Sequence, residues 1–229
     1  MKLKKLIAAI MLGALALNFS GCGQSNPPPK SPASSTKEID TLMKKAKNQA
    51  ITKDFAGAVE SLQKVVELDP QNFEAYDALG AVYHNMKDTD KAIEAYNKSL
   101  DIAPNNAMTW ADLGSLYIFK GDLDRGIEYL NKALNLGGLS DKHTVDAYLG
   151  LGKLYAFKGN YDKAIENLNK AIDIDPKKSD AWSYLGVVYA NRGELERGLE
   201  CLNKAIELDP RNDHAWTNIK IVKERLGIQ

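Results

Sequence analysis

The sequence predicts an all-α protein, a solenoid of antiparallel helix pairs closed by one capping helix. Three observations lead there. The segments "VELDPQN", "LDIAPNN", "IDIDPKK" and "IELDPRN" recur, each after a stretch such as "KAIEAYNKSL" or "KAIENLNKAI". In a 34-residue frame with the proline at position 32, apolar residues fall at positions 4, 7, 8 and 11, then at 20, 24 and 27. Those are the stripes of two amphipathic helices. Turn formers separate the stripes, with Gly121, Gly159 and Gly193 inside repeats and prolines between them.

The chain opens "MKLKKLIAAIMLGALAL": Lys2, Lys4 and Lys5, then twelve apolar or small residues from Leu6 to Leu17. A membrane-spanning helix needs roughly 20 apolar residues, so residues 1–21 read as a secretory signal peptide. Phe19-Ser20-Gly21-Cys22 resembles the lipobox of bacterial lipoproteins, although Phe19 stands where leucine is usual. The resemblance implies cleavage before Cys22 and acylation of that cysteine, hence a stable membrane anchor. Gly23 after the cysteine resembles lipoproteins sent to an outer membrane, where the host has one. The implied location is the bacterial cell envelope: the outer membrane facing the periplasm in a diderm, the outer face of the cytoplasmic membrane in a monoderm.

Residues 22–35 carry the lipidated cysteine and a Pro/Ser-rich tether, "GQSNPPPKSPASS", with no large aliphatic residue to bury. An extended Pro-rich tether of this length reaches roughly 40 Å. It reads as a spacer, with a polyproline ligand as the other reading. Ser35 followed by Glu38 matches a capping box that opens the first helix of the domain 36–229.

The repeats then run 39–72, 73–106, 107–140, 145–178 and 179–212. Position 4 is Tyr76, Trp110, Tyr148, Trp182 and, after the last repeat, Trp216; position 8 is Gly80, Gly114, Gly152 and Gly186; position 11 is Tyr83, Tyr117, Tyr155 and Tyr189. Glycine inside a helix costs about 1 kcal/mol against alanine. Four of them at one position predict a helix contact too close for a side chain, and the recurrent aromatics predict core. This pattern resembles the tetratricopeptide repeat (TPR) over about residues 39–226, and the resemblance implies a right-handed solenoid. Repeat 1 is degenerate, with Lys45 and Ala46 at positions 7 and 8. Residues 213–226 keep Trp216 and Ile219 but place Lys220 and Lys223 where glycine and tyrosine belong, as a solvating cap requires. Between repeats 3 and 4, Gly138 replaces the proline and residues 141–144 are extra. They read as a loop insertion, or else a kink or partner-contact loop.

Composition narrows the function. Thirty basic and thirty acidic residues balance, and removal of 1–21 leaves a net charge of −3, unlike a nucleic-acid binder. Apart from Cys22 the only cysteine is Cys201, so no internal disulfide framework forms; at position 23 of a second helix it reads as half-buried packing. His84, His143 and His214 lack metal-ligand spacing, and no phosphate loop or nucleophile elbow is present. No catalytic residue, cofactor, metal or small-molecule substrate is indicated.

In TPR proteins, positions 2, 5, 9, 12 and 13 face a concave groove. By that resemblance the peptide-binding residues are Asn85, Met108, Ile118, Phe119, Leu149, Lys153, Phe157, Val187 and Asn191, with Ala111, Ser115 and Ala156 among them. Phe119 and Phe157, both at position 13, either anchor a ligand or tuck against the next repeat. The acids at position 2 (Asp40, Glu74, Asp146, Asp180) suit the first turn of a helix, where the dipole favours them. The basic clamp of chaperone-binding TPRs is not matched, because Met108 and Asp112 occupy its places. The expectation is a membrane-anchored scaffold or adaptor that holds a protein or peptide partner, in pilus, secretion, outer-membrane or cell-wall assembly. The alternative is a regulatory subunit that stimulates an envelope enzyme such as a hydrolase or glycosyltransferase.

Overall fold

The computed structural model describes residues 32–228; the signal segment and Cys22 lie outside them. The described residues form eleven helices and no strand: α1 (Pro32–Ile51), α2 (Phe55–Leu68), α3 (Phe73–Asn85), α4 (Thr89–Ile102), α5 (Ala107–Phe119), α6 (Leu123–Leu136), α7 (Asp141–Phe157), α8 (Tyr161–Ile174), α9 (Ser179–Arg192), α10 (Leu195–Leu208) and α11 (Asp213–Leu226). Each odd helix packs antiparallel on the even helix that follows, and each pair packs on the next.

Local chemistry sets the boundaries. Asp54, Asn72, Asp88, Asn106, Asp122, Asn160 and Asn212 each cap a helix by accepting from backbone N–H groups of its first turn. The turn inside each repeat passes through a left-handed residue: Gly121 (φ 84°), Gly159 (φ 74°) and Gly193 (φ 97°), but Lys53 (φ 62°) and Lys87 (φ 63°) in the first two repeats. The first helix starts at Pro32, not at the capping box expected at Ser35. Proline suits the first helical position because its missing N–H would have no partner there.

The four glycines at position 8 sit where the sequence requires close contact. A Cβ on Gly80 would lie 2.6 Å from the Tyr96 ring, and one on Gly152 2.6 Å from Leu168 Cγ. On Gly186 it would lie 2.7 Å from the Gly198 carbonyl oxygen, and on Gly114 3.2 Å from the Leu130 backbone nitrogen. No single core results. Five apolar clusters follow one another along the chain, from Ala46, Leu62 and Val65 at one end to Leu202, Ala205 and Ile219 at the other. Stability therefore comes mainly from neighbouring repeats.

Two features recur at the junctions. All three tryptophans make the same bond: Trp110, Trp182 and Trp216 donate their indole N–H to the carbonyls of Pro104, Pro176 and Pro210 at 2.8, 2.9 and 3.0 Å. Along one edge, Lys120 pairs with Asp90 at 2.7 Å, Lys158 with Asp124, and Arg192 with Asp162 at 2.9 Å, so repeats 3, 4 and 5 are each tied to the one before.

The extra residues 141–144 do not form a loop. Gly137 and Gly138 (φ 71° and 79°) make the turn, Ser140 precedes the helix, and 141–144 add a turn to the N-terminus of α7. Asp146 therefore lies in the second turn of α7, and Asp40 well inside α1, so the dipole account of the position-2 acids holds only for Glu74 and Asp180. At the far end α11 is fastened by a buried chain. Asn212 donates to Ser179 Oγ at 2.7 Å, and Ser179 donates to the Ala205 carbonyl at 2.9 Å.

Candidate functional site

The odd helices share one face, and α7 touches α9 as α9 touches α11. Two clefts open between them. The middle one, of about 240 Å³, lies between α5 and α7, with Met108, Ala111, Ser115 and Ile118 on one wall, Ala147 and Gly150 on the other, and Leu130 of α6 behind. Met108 and Ile118 are thus brought together as expected. The added turn of α7 carries His143 to the same cleft, where Asp112 and Asp146 also stand. The middle of the face is therefore part acidic, not simply apolar. Asp146 accepts from Lys178 at 2.9 Å. Burial raises the Asp112 carboxyl to about 6, with the charge of Asp77 adding to the effect and a hydrogen bond from Tyr96 opposing it. Burial likewise raises Asp77, which accepts from the Thr109 hydroxyl at 2.6 Å and so links α3 to α5.

The remaining candidates divide. Phe119 and Phe157 end α5 and α7 with 72% and 80% of their surface exposed, so neither packs between repeats. They stand outside the cleft that Met108 and Ile118 line. Leu149 is a correction: only 5% exposed, it packs with Leu168 and Leu185 in the core between α8 and α9 and cannot meet a ligand. Val187 is half-buried against the cluster of Ala190 and Leu202. Lys153 places its ammonium 4.2 Å from the centroid of the Tyr184 ring, which stacks on His214 at 4.6 Å. Burial and then the charge of Lys153 hold His214 below the ordinary histidine range. Asn85 is exposed, but its amide donates to the Ala81 carbonyl of its own helix at 2.8 Å; Asn191 is exposed. Cys201 is half-buried, and burial pushes its thiol up to about 11, so it stays protonated.

Sequence reasoning missed the second cleft. It lies between α1 and α3, encloses about 400 Å³ and is lined by Met43, Ala46, Ala50, Leu62, Ala78, Ala81 and Val82, with Lys44, Lys47 and Asn85 around them. The available signal was the set of alanines on the facing sides of the two helices, which leaves the space open.

Fold and face together define a helical-repeat scaffold for protein interactions. The family described as the cilia and flagella-associated protein 70 C-terminal domain matches over residues 105–227, more than half the chain. Tetratricopeptide repeat families match over 74–106 and 51–87. The chain belongs to the tetratricopeptide-repeat proteins, its residues 105–227 within the family of that C-terminal domain. Among solved structures, it is similar to MamA protein at 28% identity, with 77% of this chain and 94% of that one covered and a TM-score of 0.67. It is similar to YrrB, a TPR protein with an unusual peptide-binding site, at 25% identity, 82% and 98% coverage and a TM-score of 0.68. It shares its fold with PilW, a type IV pilus biogenesis factor, at 20% identity, 86% and 88% coverage and a TM-score of 0.69. No curated protein matches the chain.

Proposed function

We propose that this chain is a lipid-anchored scaffold of the bacterial cell envelope that holds an extended or helical segment of a partner protein along the face of its odd helices. One observation carries the binding half of this reading. Phe119 and Phe157 are large apolar rings exposed on consecutive first helices of an ordered array. A few large anchors, aromatic rings prominent among them, dominate most interfaces. The similarity to YrrB, described as a TPR protein with an unusual peptide-binding site, supports a protein segment as the ligand. The anchoring half rests on the lipobox at Phe19–Cys22 and on the tether after it. Among the described residues no helix is long and apolar enough to cross a membrane. The likeness to the pilus factor PilW is one of fold and leaves the choice of envelope machine to the partner.

The test is the double variant Phe119→Ala with Phe157→Ala. Burial of an aromatic ring is worth about 1.5–3 kcal/mol, so capture of partners crosslinked in cells should fall by at least about tenfold while the melting temperature holds. Full capture by the stable double variant refutes the groove reading.

A further inference from the structure

We propose that the cleft between α1 and α3 is a docking site for a short acidic segment of a partner protein, bulky apolar side chains filling the cleft and flanking carboxylates meeting Lys44 and Lys47. It rests on the scaffold reading above and deepens it by assigning one end of the face a ligand chemistry.

The cleft has the form such a segment needs. Its walls are aliphatic: Ala46 and Ala50 on α1 face Ala78 and Ala81 on α3, and Leu62 of α2 closes the floor. Alanines on both helices leave about 400 Å³ that larger side chains at those positions would have filled, room for one or two leucine- or phenylalanine-sized groups. The charge at the cleft is of one sign. Lys44 and Lys47 line it, no acidic residue does, and neither ammonium has a hydrogen-bond or ion-pair partner among the described residues. Lys120, by contrast, is held by Asp90 within the fold. A ligand that buries apolar surface here brings its flanking groups against two uncompensated cations, which favours aspartate and glutamate and repels lysine and arginine.

The same charge argument sets aside two other occupants. Of the chain's own N-terminal residues, the tether 22–31 carries Lys30 and no acidic residue, and 1–21 carry Lys2, Lys4 and Lys5 and no acidic residue. The exposed end of a second copy, α11, carries Lys220, Lys223 and Arg225 against a single Glu224 in its last two turns, a net positive charge. Both would bring like charge to Lys44 and Lys47. A separate acidic protein segment is the occupant that matches.

The experiment measures fluorescence anisotropy of labelled twelve-residue peptides on the full chain. One carries a central Leu-Phe pair flanked by glutamates, a second the same pair flanked by lysines, and a third the glutamates around a central Ser-Ser pair. The first should bind at least about tenfold more tightly than either control, with the advantage over the lysine peptide shrinking as salt is raised. Lys44→Glu with Lys47→Glu should reverse the charge preference. Ala81→Leu, at an exposed position, should fill the cleft and cost about tenfold for the acidic peptide. If Ala81→Leu disturbs the fold, the lysine variant alone decides. Equal affinity for acidic and basic peptides, or indifference to both cleft variants, overturns the proposal while the scaffold reading stands on its own double variant. Competition by a synthetic peptide of residues 23–35, or self-association that Ala81→Leu abolishes, would assign the cleft to this chain itself and equally overturn it.

Discussion

Asp112→Asn should make the protein more stable at pH 8 and leave it unchanged at pH 4. Burial, with the charge of Asp77 beside it, lifts the Asp112 carboxyl from its ordinary 3.8 to about 6. In the folded state this group holds its proton more tightly than in the unfolded chain. The fold therefore binds more protons between about pH 4 and pH 6, and its stability falls as pH rises through that window. Above pH 6 the carboxylate is ionised in both states and the whole penalty is present. A shift of about 2 units at 1.36 kcal/mol each gives about 3 kcal/mol as a ceiling. Contact with solvent in the cleft and the coupling to Asp77 reduce this to about 1–2 kcal/mol. Asparagine keeps an oxygen to accept from Tyr96 and removes the charge. Thermal melts followed by circular dichroism should show a rise of about 2–8 °C over the parent at pH 8, given the size of the chain, and none at pH 4. A variant equally altered at both pH values, or destabilised at pH 8, would show that the carboxylate carries no such penalty.

Four further outcomes are expected. Gly186→Ala sets a Cβ against the Gly198 backbone oxygen, which cannot swing away, and should cost about 1–3 kcal/mol. Gly152→Ala meets only the Leu168 side chain closer than 3 Å and should cost less, since a side chain can give way where a backbone oxygen cannot; paired denaturant melts compare them. Lys87→Gly removes a side chain from a left-handed residue (φ 63°) and should stabilise by about 0.5–1 kcal/mol, with no gain in the melt counting against strain at that turn. Cys22→Ala should abolish labelling by a fatty-acid probe in cells and leave the helical spectrum intact, and persistent labelling would place the lipid elsewhere.

Most of the fold was legible because each repeat states the same pattern anew, so a chance match at one position is corrected by the others. Gly80, Gly152 and Gly186 could be read as contacts before any coordinates for that reason. The misreadings fall where the pattern breaks. Gly137-Gly138 reads as the start of a loop insertion, yet two left-handed glycines complete the turn by themselves and free Asp141–Thr144 to lengthen α7. That extra turn is what moves Asp146 out of the first turn and brings His143 to the middle cleft. The frame position puts Leu149 in the groove, but a leucine on the side of α7 that meets α8 and α9 gains more from burial against Leu168 and Leu185 than from water. The α1–α3 cleft escaped notice because a binding face is usually sought in large side chains, and this one is made by alanines. No rule of spacing could decide whether Phe119 and Phe157 were buried, since position 13 lies at the edge of the stripe and only the neighbouring repeat determines what covers it.

The indole-to-proline bond at three junctions makes the protein its own optical reporter. Opening a junction frees the indole N–H from its carbonyl at all three. It further wets the half-buried rings of Trp110 and Trp182, while Trp216, a core aromatic by its frame position, is already 50% exposed. These changes alter the wavelength and the yield of emission. The three emitters are unevenly placed: Trp110 alone reports on the N-terminal half, while Trp182 and Trp216 report on the last repeat and the cap. Because neighbouring repeats can open one after another rather than all together, chains in which two of the three are changed to phenylalanine would give three separate melting curves. Their order would trace where the array first comes apart, without any attached dye.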